Sequence, residues 1–322
     1  MTSSCQDLLP ISVATLAPVE SGLGIELFHQ DSQANHYVLY RGISHPLRQD
    51  DLARLRASGC QRLYISSAAR QQYQAYLRGL VGLEGAGHEA SMEVRINALN
   101  EVVRDVLETA FRGNDTEQTV EACQRLGKLT SEIIDADAFS EDALFQVLRH
   151  DYATFTHSAN VAFYAGVLAK QLGYAESEIQ QIIVGGLLHD LGKLDIPERI
   201  LAKPGKLDHE EYQEIQRHPA LGMQKLADRS DLTEGQLMMV YQHHERPDGG
   251  GYPSAVVDDE IHPWAKLCAV VDVYEALTSH RPYRRPMARQ LVHEILTRDS
   301  GKAFDSEILK CWVSITQTSL PS

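Results

Sequence analysis

The sequence predicts a mainly α-helical protein in which an all-helical bundle follows a small α+β N-terminal domain. Short β-like runs and turns fill the first 80 residues, whereas apolar residues recur at helical spacing from residue 92 onward. Helix-start signals then recur through the second half. Because 322 residues suffice for two domains with their own cores, we predict boundaries at 1–80, 81–150 and 151–322.

The N-terminal domain, residues 1–80, is predicted to alternate strands and helices. The strand candidates are LGIELF, HYVLYR and QRLYIS, and the helix candidates are RQDDLARLRA and ARQQYQAYLRGL. Gly59 follows the first helix, and glycine is typical of a helix C-terminus. Its position ahead of the helical half suggests a regulatory or interaction domain, and the sequence shows no catalytic constellation within it.

Residues 81–150 are predicted to form linker helices. The segments MEVRINALNEVVRDVLETAF and TVEACQRLGKLTSEIID place apolar residues at helical spacing, with a turn signal at Gly113-Asn114-Asp115 between them. The pattern fits a stalk, a dimerisation pair or the first helices of the next domain, and a homodimer is one of our expectations.

From Tyr152 onward the sequence alternates apolar helices with loops. Asp208 is followed three residues later by Glu211, which is the pattern of a capping box at a helix start. Pro263 stands where the first turn of another helix is expected. We predict that DHEEYQEIQRHPALGMQKLA forms a single helix.

Composition and charge exclude several functional classes. The net charge of −14 disfavours a protein that coats nucleic acid, although metal ions and a few basic side chains could still bind a small phosphorylated ligand. The sequence contains neither an apolar run of about 18 residues nor a signal-peptide pattern. Five widely spaced cysteines fit a reducing compartment. We therefore expect a cytoplasmic protein that binds neither DNA nor membranes.

Potential metal ligands recur through the second half, each roughly one helix and one connection after the last. Successive antiparallel helices would bring such side chains to one level of a bundle. A lone histidine is more often structural, but a carboxylate within an apolar helix, such as Asp272, must be paired or bound to metal. The predicted ligands are His157, His189, Asp190, His218, His243, His244 and Asp272.

The ligand types predict more than one metal ion. Five imidazoles and two carboxylates exceed what one divalent ion binds, and this mixture suits Fe, Mn, Ni or Zn. Asp190 could bridge two ions. Two ions about 3.5–4 Å apart are a common arrangement for hydrolysing phosphate esters. We therefore expect two divalent transition-metal ions.

Three motifs resemble the HD-GYP family, a branch of the HD metal-dependent phosphohydrolases: HDLGK, HHERPDGGGYP and DVYEALTSHRPYRRP. The resemblance covers about Tyr152 to Leu309. It implies an HD-type catalytic domain at 151–322 that hydrolyses cyclic di-GMP, the bacterial second messenger, to pGpG through a metal-activated hydroxide. It leaves open further hydrolysis to GMP, and it favours iron over the other metals.

The resemblance also implies roles for individual residues. One ion would be held by His157, His189, Asp190 and Asp272, and the other by Asp190, His218, His243 and His244. Asp190 and Lys193 would be catalytic, with Lys193 contacting phosphate.

The substrate would also contact Gly251, Tyr252, Arg281 and Arg284. The Gly-Tyr-Pro loop is further implied to contact diguanylate cyclases, the GGDEF proteins. Two alternatives remain: a module that binds a cyclic dinucleotide or a cyclase without turnover, and a hydrolase for another nucleotide.

Two positions depart from the family pattern. Three-metal members have a glutamate four residues before the first histidine, where this chain has Ala153, so we expect two ions rather than three. Glu275 stands where aspartate is common, and we expect it to orient a ligand or a water.

Overall fold

The computed structural model describes residues 8–31, 36–83, 90–113, 115–148, 154–203, 205–279 and 285–318. The chain forms two compact units, Met1–Val102 and Val103–Ser322. The sequence-based boundaries at residues 80 and 150 stay a prediction.

The first unit is a small α+β module, as predicted. Its antiparallel sheet has the strand order β1-β4-β2-β3. The sheet and the helices α1 and α2 share a core that includes Leu27, Leu52, Leu63 and Leu77. The strands are β1 (Leu8–Ser12), β2 (Leu27–Asp31), β3 (His36–Arg41) and β4 (Arg62–Ser66), and the helices are α1 (Gln49–Ala57) and α2 (Arg70–Val81).

Two strands differ from the sequence-based expectation. β1 was not among the predicted strands; it contains Pro10, which has no N–H to donate to a sheet. It is tolerated because β1 lies at the edge of the sheet. β2 begins at Leu27 rather than at Leu23, because the residues before it bend.

The second unit is all-helical in its described part, which confirms the predicted bundle. Helix α3 (Met92–Gly113) runs across the division between the units. The helices that follow are α4 (Thr116–Asp135), α5 (Glu141–Val147), α6 (Thr154–Gln171), α7 (Glu176–Leu188), α8 (Glu198–Leu201), α9 (His209–Ile215), α10 (His218–Leu226), α11 (Glu234–Gln242), α12 (Pro263–Thr278), α13 (Arg289–Arg298) and α14 (Ser306–Thr318).

Helix α7 lies at the centre of the bundle, where it packs against α4, α6 and α11. Its residues 182–188 are buried on all sides, as part of a helix surrounded by other helices must be, whereas its first turn is polar. Helix α12 packs against α6, α11 and α14 and is buried along most of its length. Of the three roles open for the helices of 81–150, the contact of α4 with α7 favours the first helices of the bundle. Within the described part of the chain, every helix is too short or too polar to span a lipid bilayer.

The predicted single helix from Asp208 is in fact two, α9 and α10. The capping box of Asp208 and Glu211 starts α9 as expected. The break follows from Pro219, which has no N–H to donate to the carbonyl of Ile215 four residues earlier. That carbonyl instead accepts a hydrogen bond from Nδ1 of His218, at 2.7 Å. The prediction of one helix was therefore wrong, and the break places His218 at the start of α10.

Candidate metal centre

The structure brings all seven predicted metal ligands together. His157 lies in the first turn of α6, and Asp272 lies within α12. The remaining five lie at helix ends: His189 and Asp190 follow α7, His218 begins α10, and His243 and His244 follow α11. All are buried except His244, which is half-buried. Three sets of three have donor atoms within 4.8 Å of one another. Two of them exclude Asp190: His157, His189 and Asp272, and His218, His243 and His244. The third, His189, Asp190 and His243, takes one histidine from each of these two.

Asp190 lies between these two sets. Its Oδ2 atom is 3.4 Å from Nε2 of both His157 and His189. Its Oδ1 atom is 3.3 Å from Nε2 of His218 and 3.9 Å from Nε2 of His243. One carboxylate thus faces a different group of imidazoles with each oxygen, which is the arrangement of a bridging ligand.

Three imidazoles are oriented by main-chain carbonyls at helix ends. Nδ1 of His189 donates to the carbonyl of Gly186 at 2.7 Å, and Nδ1 of His243 donates to that of Met239 at 2.9 Å. His218 uses Ile215 in the same way. Carbonyls in the last turn of a helix lack a helical partner, so they are available as acceptors. Because a carbonyl can only accept, each Nδ1 carries a proton, so the neutral form of each ring presents its Nε2 lone pair to the centre.

His157 is oriented by side chains instead. Its Nδ1 atom lies 2.5 Å from Oε2 of Glu275. Oε1 of Glu275 accepts hydrogen bonds from Asn160 Nδ2 at 3.0 Å and from Ser279 Oγ at 2.6 Å. Glu275 therefore has the orienting contact that the sequence analysis expected. The analysis missed Asn160 and Ser279, although Asn160 stands one helical turn after His157 and so faces the same way.

The donor set fits metal ions. His189 Nε2 and Asp190 Oδ1 are buried and have no hydrogen-bond partner among the described residues, which is costly unless a cation satisfies them. Nε2 of His218 lies 3.2 Å from Nε2 of His243, and both atoms present lone pairs. Two lone pairs at this distance repel unless a cation lies near them.

Two of the imidazoles are neutral at pH 7, whereas His157 would have to lose a proton as a metal ion binds. Burial lowers the pKa of His218 to about 3 and that of His244 to about 4, so both imidazoles are neutral at pH 7. Burial disfavours a charge on His157 too, but Glu275 and Asp272 outweigh it and raise its pKa to about 9. The negative potential that stabilises a proton there would also attract a cation.

The two carboxylates remain ionised despite their burial. Burial by itself would raise the pKa of Asp190, but interactions with His189 and Lys193 hold it well below its usual range. Asp272 behaves alike, because His157 outweighs the effect of burial. Nζ of Lys193 lies 2.6 Å from Oδ2 of Asp190. Of the three basic residues predicted to contact the substrate, only Lys193 is among the described residues, and it lies beside the proposed bridging carboxylate.

Gly192 allows the turn after Asp190 to approach α10. A Cβ atom at this position would lie 1.9 Å from the carbonyl oxygen of His218 and 2.5 Å from the amide nitrogen of Gly222. Both are main-chain atoms, so no side chain can move aside. The absence of a side chain therefore lets His218 lie beside Asp190.

The Gly-Tyr-Pro loop folds back over the metal ligands. The Tyr252 ring stacks on the His244 ring, with centroids 4.7 Å apart and planes 29° apart. A Cβ atom on Gly251 would lie 2.5 Å from the Arg246 amide nitrogen and 2.6 Å from the His244 carbonyl oxygen. Close main-chain packing thus accounts for glycine at 251. Its predicted substrate contact, and that of Tyr252, stay predictions.

The predicted phosphate-binding residues Arg281 and Arg284 lie outside the described residues, as does Ala153. Their roles therefore stay predictions.

Glu245 was not predicted from the sequence; it is a buried carboxylate between the paired histidines and the glycines. A charged residue directly after two ligands was the available signal.

Comparison with known proteins gives a consistent assignment. The profile of the HD domain matches residues 141–308, just over half of the chain. The cyclic di-GMP phosphodiesterase response regulator RpfG of Xanthomonas campestris pv. campestris is 33% identical over 184 residues, which cover 56% of this chain and 49% of RpfG. The 3'3'-cGAMP-specific phosphodiesterase 1 of Vibrio cholerae is 38% identical over 168 residues, which cover 51% of this chain and 38% of that protein.

The chain spans about half the length of these curated relatives or less. Bd1817, an HDG"Y"P protein from Bdellovibrio bacteriovorus, has a similar structure with a TM-score of 0.67. The likeness covers 97% of this chain and 100% of Bd1817, and at 19% identity it shows a shared fold. The chain therefore belongs to the HD domain family, and its resemblance to the HD-GYP branch is confirmed.

Proposed function

We propose that this protein is a metal-dependent phosphodiesterase that hydrolyses cyclic di-GMP to pGpG at a two-metal centre. The observation that carries the proposal is the position of Asp190, whose two oxygens face separate groups of imidazoles. The names of RpfG and related proteins support the reaction class and the substrate class.

The side chains of the centre divide into two ligand sets in this proposal. His157, His189, Asp190 and Asp272 would hold one ion, and Asp190, His218, His243 and His244 would hold the other. The ions would polarise a phosphate oxygen and lower the pKa of a bound water, which supplies the nucleophile. Divalent iron is the proposed metal, with Mn, Ni and Zn as alternatives.

The protein contributes binding, orientation and charge. The neutral imidazoles offer Nε2 lone pairs without losing a proton, because Nδ1 already carries it. Burial of the ligands keeps bulk water from competing with them. Lys193 adds a positive point charge next to Asp190, where it would attract a phosphate oxygen of the substrate.

A second substrate deserves a parallel test. The 3'3'-cGAMP-specific phosphodiesterase 1 of Vibrio cholerae is 38% identical to this chain in the matched region, compared with 33% for RpfG. These identities favour neither substrate. Hydrolysis to GMP, contact with GGDEF cyclases, a homodimer and a cytoplasmic location stay predictions.

The proposal is tested with protein purified without oxygen and loaded with Fe²⁺ or Mn²⁺. It is incubated separately with cyclic di-GMP and with 3'3'-cGAMP, and the products are separated by chromatography. We expect linear pGpG from cyclic di-GMP and no product after chelation of the metal. If only 3'3'-cGAMP is hydrolysed, then 3'3'-cGAMP rather than cyclic di-GMP is the substrate. Binding of either ligand without any linear product would favour the non-catalytic module.

A further inference from the structure

His244 is held differently from the other four imidazoles of the centre. His189, His218 and His243 each donate Nδ1 to a main-chain carbonyl, and His157 donates Nδ1 to Glu275. His244 makes no such hydrogen bond to any described residue; its Nδ1 lies 3.9 Å from Oδ2 of Asp272. It is also the most exposed of the five, so something else must fix its ring.

The Tyr252 ring lies against His244 and also approaches His218, with centroids 6.4 Å apart. It stacks on the His244 ring at 4.7 Å, and the amide of Tyr252 donates to the carbonyl of His244 at 3.1 Å. The tyrosine is therefore tied to the same residue through both its ring and its main chain. A stacked ring restricts rotation of an imidazole as a hydrogen bond would, although it does so through contact area rather than direction.

Glu245 anchors the loop that carries Tyr252. Its side chain is 2% exposed, and Oε1 accepts hydrogen bonds from the amides of Ser254 at 2.6 Å and Ala255 at 3.1 Å. Tyr241, on α11, adds a hydrogen bond of 2.9 Å between its hydroxyl and Oγ of Ser254. Tyr252 is thus fixed from both sides: Gly251 packs on the main chain of residues 244–246, and Glu245 holds the two residues after Pro253.

We propose that Glu245 and Tyr252 are positioning residues that hold His244 in its metal-binding orientation. This inference rests on the proposed two-ion centre. It assigns the Gly-Tyr-Pro loop a role before any substrate arrives: the loop orients the one imidazole of the five whose ring nitrogens donate to no described residue. The two residues act on one of the two ions, because His244 belongs to only one ligand set.

The test is a calorimetric titration of metal-free protein with Mn²⁺, in the absence of substrate. We expect two binding steps for the wild type. Tyr252→Ala and Glu245→Ala should weaken one step by about 10–100-fold, which is the usual effect of losing a partner that orients a ligand. The other step should stay within about threefold of the wild type. Tyr252→Phe keeps the stacked ring and should keep both affinities.

Two controls separate this role from general damage. Tyr40→Ala removes a half-exposed tyrosine from β3 of the first unit, which holds none of the proposed ligands, and should leave both steps unchanged. If Glu245→Ala fails to fold, the Tyr252→Ala and Tyr252→Phe pair still decides, because the two differ only in the ring. The Co²⁺ absorption spectra of these two variants should also differ. Tyr252→Ala should show altered metal coordination, and Tyr252→Phe should match the wild type.

The outcomes distinguish this inference from the proposed function. A wild type that binds two ions, together with a Tyr252→Ala variant that binds both with wild-type affinity, would overturn the inference alone. Equal weakening of both steps would also overturn it, because the effect would not be confined to the ion of His244. A wild type that binds fewer than two ions would overturn the two-metal centre and the inference with it.

Discussion

Asp190 follows α7 directly, at the point where the turn towards α10 begins. Each of its oxygens faces different imidazoles, so its removal affects both ligand sets at once. Asp272 also faces one imidazole of each set, His157 at 3.1 Å and His244 at 3.9 Å, but Asp190 faces two of each. At the residue scale, the account therefore depends more on Asp190 than on any single histidine.

Substitution of this residue gives the first prediction. Asp190→Asn keeps the size of the side chain but removes the charge, and an amide bridges two cations poorly. We expect the metal content to fall from two ions per chain to fewer than one, and turnover to fall by at least about 100-fold. Elemental analysis and the product assay measure these effects.

The matched control is Asp195→Asn. Asp195 lies in the same turn, but its carboxylate pairs with Nζ of Lys225 at a distance of 3.0 Å and faces none of the proposed ligands. The substitution should therefore leave the metal content and the turnover unchanged. An Asp190→Asn protein that retained two ions would contradict the bridging role.

The sequence predicted which potential ligands lie together but not what orients them. The spacing of the motifs predicted that five histidines and two aspartates meet at one level of the bundle. This was possible because the identity of each side chain can be read from the sequence. The acceptors for Nδ1 of His189, His218 and His243 are main-chain carbonyls, which every residue has. Only the end of a helix decides which carbonyl is available, so these partners could not be predicted.

Helix ends position most of the ligands, and Gly192 decides how closely two of these ends approach. The turn after Asp190 touches the main chain of α10 at His218 and Gly222. At the scale of elements, the distance between Asp190 and His218 therefore depends on a missing side chain.

Gly192→Ala gives the second prediction. The added Cβ would overlap the His218 carbonyl oxygen, so the turn and α10 must separate. We expect the free energy of unfolding to fall by about 1–3 kcal/mol. We also expect weaker binding of the ion proposed at His218. Chemical denaturation and Mn²⁺ titration measure the two effects.

Gly113→Ala is the control, because a Cβ there meets no atom within 4 Å. It should be neutral in both measurements. Wild-type stability and metal affinity in Gly192→Ala would show that the close approach is not required.

Helix α1 of the first unit gives a prediction that depends on pH. Asp51 is buried, and the Arg48 amide donates to its carboxylate at 3.0 Å. This hydrogen bond, with Arg54 and Arg41, outweighs burial and lowers the pKa of Asp51 below its usual value. The ionised form therefore stabilises the fold above the unfolded-state pKa of about 4, and this stabilisation is lost as the pH falls through the folded-state pKa.

Asp51→Asn should lower the free energy of unfolding by about 1–3 kcal/mol at pH 7, as expected for lost hydrogen bonds to a charged group. The difference from the wild type should shrink as the pH falls below about 4, because the wild-type carboxyl then becomes neutral. Urea denaturation between pH 7 and pH 3 measures this. Asp50→Asn, exposed in the same turn, is the control. A difference that stayed constant with pH would contradict the role of the charge.

At the scale of the whole molecule, the proposed ions join five helices of the second unit: α6, α7, α10, α11 and α12. The first unit contributes no ligand to either set. Because bound ions stabilise only the state that binds them, they should stabilise the second unit selectively.

Chelation gives the corresponding prediction. Removing the metal should increase amide hydrogen exchange in residues 154–279 and leave residues 36–83 unchanged. The free energy of unfolding should fall by about 2.7 kcal/mol for each ion that had been present at 100 times its dissociation constant. Hydrogen-exchange mass spectrometry with and without chelator measures it. Equal changes in both units would contradict a centre confined to the second.

The sequence predicted the helical bundle and the N-terminal α+β module, because both follow from hydrophobic periodicity. It did not predict the break at Pro219, since the capping box at Asp208 and the apolar spacing continue across it. It also missed β1, because Pro10 is unfavourable in a strand unless that strand lies at a sheet edge. Tertiary position, which the local sequence does not contain, decided both cases.

The most direct test of the central claim is anomalous diffraction from crystals of the metal-loaded protein, recorded at the absorption edge of the bound element. We expect two peaks about 3.5–4 Å apart, with Asp190 between them. The first should be surrounded by His157, His189 and Asp272, and the second by His218, His243 and His244. A single peak, or two peaks that do not share Asp190, would contradict the two-metal centre.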